Sequence, residues 1–122
     1  MPRRPLSLTI FGYLLILLGA AGFVGHFPAH RPPYHSDDFL PDLLELILIT
    51  AAVFILRGCN WARWLALAWI TFHLAISFYD STRKVIAHCV ILLIFVAFLF
   101  SRGARAWFRT RAAGRTDPPA PV

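Results

Sequence analysis

Four long apolar stretches, at about 6–25, 39–56, 61–79 and 85–101, are nearly free of charge, and the basic residues gather on one side of them. A helix rises about 1.5 Å per residue, so about 20 apolar residues cross the hydrocarbon core of a bilayer. Leu6–Gly25 meets that length without a charge. The other three stretches lie near the lower limit of roughly 17 residues for a spanning helix. Trp61, Trp64, Tyr34 and Tyr79 fall at or near stretch ends, where amphipathic rings prefer the headgroup layer. Composition points the same way: 58% of the 122 residues are hydrophobic and 15% charged, against about 25% charged in a soluble domain. The expected fold is all-α, a polytopic membrane protein of four antiparallel transmembrane helices. It would form one domain over 1–110, followed by a disordered cytoplasmic tail at 111–122.

The connections alternate in charge. Arg3 and Arg4 precede the first stretch, Arg57 and Arg63 sit at the second link, and Arg102, Arg105, Arg109, Arg111 and Arg115 follow the fourth stretch. The first and third links hold only Arg31, Arg83 and Lys84, together with or close to Asp37, Asp38, Asp42, Glu45 and Asp80. The positive-inside rule then puts both termini in the cytoplasm. The preponderance of Arg over Lys suggests a GC-rich bacterial genome, hence an inner membrane. The net charge of +6 would suggest nucleic acid in a soluble chain. Here it reads as topology, and no nucleic-acid partner is expected. Arg102, Arg105, Arg109 and Arg111 are expected to form a basic tail on the inner leaflet, each gaining about 1 kcal/mol near anionic lipid. A competing reading makes the first stretch a cleavable secretory signal, with Arg3-Arg4 before the apolar run and Gly19-Ala20-Ala21 near its end. The run is long for a signal core.

Turn chemistry marks the links. Gly58 is expected to end the second helix in a left-handed conformation, Asn60 to cap the third, and Ser81 or Thr82 the fourth. Pro28, Pro32, Pro33 and Pro41 keep the first link irregular. Lipid is as apolar as Leu, so helix association depends on small residues that let backbones approach. The first stretch offers Gly12, Gly19, Ala20, Ala21, Gly22 and Gly25, with Ala21 and Gly25 four residues apart. The third offers Ala62 and Ala66, a row that continues through Trp69 and His73 to Ser77. The fourth has the most lipid-facing composition.

Ionisable groups inside a bilayer are costly, by about 2.5–3.5 kcal/mol for Asp, and are functional candidates by default. Glu45, His73 and His88 qualify. Counted from the outer ends of their stretches they lie roughly 9, 9 and 6 Å deep, so they form one candidate polar cluster in the outer leaflet. Asp38, Asp42 and Glu45 share a helix face, and His26, His30 and His35 lie in or beside the loop above. Imidazoles and carboxylates on one side suit a transition metal, with His73 and His88 as candidate ligands. A bis-His haem between them is a further option. Neither has a specific motif, so no cofactor is expected, and the favoured reading is that the three groups stabilise the bundle. Cys59 and Cys89 fall at opposite membrane faces, too far apart for a disulfide. No nucleophile–base motif or phosphate loop occurs, and no enzymatic activity is expected.

Arg57-Gly58-Cys59-Asn60-Trp61-Ala62-Arg63-Trp64-Leu65-Ala66-Leu67-Ala68-Trp69, then Phe72-His73, then His88, resembles a group of short bacterial four-helix integral membrane proteins of unknown function. The likeness covers about residues 5 to 110 and implies the four-span fold without implying an activity, cofactor or site. Small multidrug transporters resemble this chain only in size and span count, for it lacks the acidic residue they carry in the first span. The expected role is that of a non-enzymatic accessory or structural membrane component, with the lipid bilayer as partner and room for a homo-oligomer or a membrane-protein partner. The alternatives are a small proton- or metal-linked transporter or sensor using Glu45, His73 and His88, and a bis-His haem protein. Reporter fusions at Asp37 and Val122 test the orientation. The Val122 fusion should report the cytoplasm and the Asp37 fusion the periplasm, and a periplasm-active Val122 fusion would refute it.

Overall fold

The computed structural model describes residues 3–26, 32–33, 35 and 39–116. Tyr34, Pro28, His30, Arg31, Asp37, Asp38 and 117–122 lie outside the described residues, and the readings placed on them stay with the sequence. The described residues form five helices and no strand: α1 (Leu6–His26), α2 (Leu40–Leu56), α3 (Asn60–Ser77), α4 (Thr82–Leu99) and α5 (Arg102–Thr116). The first four coincide with the apolar stretches. By length and composition α1 and α4 can cross a membrane. α2, with 17 residues, and α3, which carries Asn60, Arg63 and His73, fall short of that measure.

The turn between α2 and α3 is built by backbone bonds. Cys59 N–H donates to the Phe54 carbonyl at 2.9 Å and Gly58 N–H to Ile55 at 3.0 Å, the paired bonds of a Schellman end. Gly58 has φ +81°, as its place in the sequence predicts. Asn60 does not cap α3: Cys59 takes that position, with no side-chain cap. Ser81 caps α4, its hydroxyl accepting from Lys84 N–H. Asp80 and Lys84 form an exposed ion pair beside it.

α1 packs most extensively on α2, and α3 on α4, and the two pairs join through α2 and α3. Glycine makes the first contact possible. A Cβ at Gly12 would lie 2.5 Å from Leu56 Cδ2, one at Gly19 2.6 Å from Ile49 Cγ1 and 3.2 Å from the Glu45 carbonyl, and one at Gly22 2.6 Å from Glu45 Cδ. The contact face of α1 is therefore Gly12, Gly19 and Gly22. The expected Ala21–Gly25 pair is not part of it, for Ala21 is exposed and Gly25 has nothing within 4 Å of its Cβ position. The α3 row holds: Ala62, Ala66, Trp69 and Ser77 are buried.

The tail corrects the sequence reading. It is helical through Thr116, not disordered from 111. Ser101 Oγ accepts from Ala104 N–H at 3.3 Å, capping the helix. Ala104, Trp107 and Phe108, at i, i+3 and i+4, are buried, so α5 holds an apolar stripe against the end of the bundle.

The outer faces of α1–α4 are apolar. Leu14, Leu17 and Leu18 of α1 and Val90, Leu93 and Ile94 of α4 are exposed, as are Leu43, Leu46, Phe72 and Ile76 between them. α4 buries only Phe95 and Leu99.

Gly19→Ala should lower stability by about 1–3 kcal/mol, the range for overpacking a tight contact. Gly25→Ala should be neutral or gain up to about 1 kcal/mol of helix propensity. Thermal unfolding of both variants in detergent checks the contrast.

Candidate functional site

The polar row of α3 meets α4 at His73 and His88, whose ring centroids are 6.0 Å apart and tilted by 31°. Ser77 joins them. Its hydroxyl donates to the His73 carbonyl at 2.7 Å and lies 2.7 Å from His88 Nδ1. The Lys84 carbonyl is 2.8 Å from the same nitrogen. The hydroxyl proton is committed and a carbonyl can only accept, so His88 Nδ1 carries a hydrogen and donates to both oxygens. His73 Nδ1 lies 3.0 Å from the Trp69 carbonyl and donates to it for the same reason. Both rings thus keep Nε2 as the lone-pair atom when neutral.

Trp69 ties this pair to the rest of the bundle. Its indole N–H donates to the Leu44 carbonyl of α2 at 2.8 Å. Its ring lies 4.1 Å from that of His73 and stacks parallel to Phe95 of α4 at 6.4 Å. One side chain therefore bridges three helices.

Glu45 is placed differently from the two histidines. Its carboxyl packs over Gly22 of α1, with His26 and Asp42 as its ionisable neighbours. Glu45 Oε2 is buried without a hydrogen-bond partner among the described residues. Asp42 is buried beside it on α2. The three candidates thus divide between two interfaces, His73 and His88 at α3–α4 and Glu45 at α1–α2. Among the described residues, no three His, Cys, Asp or Glu side chains come together as a metal site. Cys59 and Cys89 are free thiols.

The arginines at the opposite end take up specific positions. Arg4 donates through Nη1 to the Leu56 carbonyl at the end of α2, at 2.8 Å, and through Nε to Thr9 Oγ1 at 2.8 Å. Arg111 lies over the Trp107 ring at 4.5 Å and packs against Gly58. Arg115 Nη2 donates to Cys59 Sγ at 3.3 Å. Arg63 lies over Phe100 at 4.7 Å and over Phe108 at 5.1 Å. All four tail arginines read as a basic surface, Arg102, Arg105, Arg109 and Arg111, are exposed, and Arg111 packs on the Trp107 ring as well. Sequence spacing showed Ser77 one turn from His73. It held no sign of the Arg63 cage, whose rings come from about 40 residues later in the chain.

No family model matches the chain, and neither a curated protein nor a solved structure does.

Ser77→Ala removes the hydroxyl that links the His73 carbonyl to the His88 ring. It should lower stability by about 0.6 kcal/mol and at most about 1.7, the measured range for interhelical bonds in a membrane. Detergent unfolding of the variant measures this, and an unchanged midpoint would deny Ser77 its bridging role.

Proposed function

We propose that the chain is a four-span bacterial inner-membrane protein with both termini in the cytoplasm, and that it acts as a non-enzymatic accessory or structural component of that membrane. The observation that carries this reading is the apolar exterior of α1–α4, where Leu, Ile, Val and Phe side chains stand exposed around an interior that is apolar as well. Soluble monomers rarely expose apolar patches beyond a few hundred Å2. A helix that is apolar all round belongs in a core or in lipid, and α4 buries too little of itself for a core helix. In this reading 17-residue α2 crosses through slight local thinning of the bilayer. The structural role is supported by the way the inner polar groups are used. His73, Ser77 and His88 bond to one another and to backbone carbonyls, and Trp69 bonds to α2.

A second reading, a small proton- or metal-linked transporter or sensor, is favoured by one feature: Glu45 Oε2, buried without a hydrogen-bond partner among the described residues. The absorption spectrum and metal content of the purified protein separate the structural reading from a metal- or haem-linked one, and substrate-dependent protection of Glu45 is the mark of the proton-linked form. The structural reading expects neither a Soret band nor stoichiometric metal. A Soret band, or metal that is lost in His73→Ala and His88→Ala, would replace it with the cofactor reading.

A further inference from the structure

Three arginines converge on one hollow at the end of the bundle, away from the described acids. The hollow, of about 230 Å3, is lined by Asn60, Arg63, Arg105, Phe108, Arg109 and Ala112. That is smaller than the roughly 300–1,000 Å3 of a drug-sized site, and it suits a compact charged group. Arg63 has its Nε and Nη1 buried with no hydrogen-bond partner among the described residues. Phe100 and Phe108 attract its cation through their ring faces, but they leave the in-plane N–H groups unmet. Arg105 is close enough for its charge to oppose that of Arg63. Arg105 and Arg109 are exposed, and their side chains make no ion pair among the described residues. Such an arrangement is unfavourable until an anion with several acceptor oxygens enters it.

Two further features select the anion. Guanidinium groups match phosphate oxygens through paired, charge-assisted bonds. Helix α3 starts at this hollow without a side-chain cap, so its first N–H groups and the positive end of its dipole lie beside Asn60. Trp61 and Trp64 stand exposed on the first two turns of α3, as rings at headgroup level do. We propose that this hollow binds a phosphate group, and that the tryptophans favour the phosphate of an anionic lipid headgroup over free phosphate. Anchoring by a headgroup would join α3 and α5, because the lining residues come from both helices. The lipid source rests on the membrane reading above; recognition of phosphate does not.

The test uses the full chain in neutral detergent. Its unfolding midpoint is followed against added phosphatidylglycerol, phosphatidylcholine and inorganic phosphate. The same titrations are run on R105Q/R109Q, on Arg63→Gln and on Arg3→Gln, which removes an exposed charge outside the hollow. Phosphatidylglycerol should raise the midpoint of the wild type and of Arg3→Gln. R105Q/R109Q should weaken the response by about tenfold or more, the effect of losing at least one charge-assisted bond. A matching response to inorganic phosphate would support the site and assign it to the free ion. A response to phosphatidylglycerol alone would assign it to lipid. Equal responses in Arg3→Gln and R105Q/R109Q, or none above phosphatidylcholine, would overturn the proposal. Should Arg63→Gln fail to fold, the exposed pair Arg105 and Arg109 still decides the result. Membrane insertion is read separately by the reporter fusions, so failure of one reading is distinguishable from failure of the other.

Discussion

Where α1 meets α2, three positions of α1 are too close to its partner for a side chain to fit without a shift. Gly12, Gly19 and Gly22 place bare backbone against Leu56, Ile49 and Glu45, and the intimacy of that pair positions everything attached to α2. Apolar burial cannot supply the preference if the surroundings are themselves apolar, so close van der Waals contact must do so. Leu8, Phe11 and Leu15 then fill the same face as Gly12 and Gly19. Phe11 reaches across to α4, edge-on to Phe95 and stacked on Phe98, both at 5.2 Å. The glycines thus admit α1 to the bundle, and its aromatic ring extends the contact to the far pair.

The polar interior follows from this geometry. Residues four apart on α3, from Ala62 and Ala66 to His73 and Ser77, lie along one face. The small ones seat the helix and the polar ones bond across it. The bonds are individually modest, averaging about 0.6 kcal/mol in membrane settings. Their larger effect is directional: Trp69 fixes α3 against α2, and Ser77 fixes it against α4. Glu45 sits outside this network because its stretch of α2 faces the glycines of α1. Equal depth brought the three ionisable residues together on paper. Helix rotation, which depth does not report, set them at different interfaces.

The other end of the molecule is organised by arginine and aromatic rings. Charge asymmetry reads these arginines as topology signals, and the structure gives several of them local partners as well. Arg4 satisfies a carbonyl at the end of α2, where helix carbonyls lack intrahelical donors. Arg111 and Arg115 fasten α5 to the turn at Gly58 and Cys59. Among the described residues Arg63 keeps unmet donors between two phenyl rings, which makes this end the place where the bundle has chemistry to offer an anion.

Local rules made much of the fold legible. Apolar run length located α1 to α4, the left-handed tolerance of Gly58 ended α2, Ser81 opened α4, and four-residue spacing identified the α3 contact face. Each depends on residues within a turn or two of one another, so the sequence alone determines it. Where the structure departs from these rules, the physical reason is shared. Of the small residues that the sequence offers on α1, Gly12, Gly19 and Gly22 make the contact and Ala21 and Gly25 do not; Cys59 and not Asn60 caps α3, and 111–116 is helix and not disordered. Likewise Glu45 lies apart from His73 and His88, and Arg63 is caged by two phenyl rings as well as being a topological charge. Those outcomes depend on which way each helix turns about its axis and on which distant side chains arrive beside it. Only tertiary packing decides that, because rotation and neighbour choice minimise contact energy over the whole bundle and leave no mark at any single spacing in the chain.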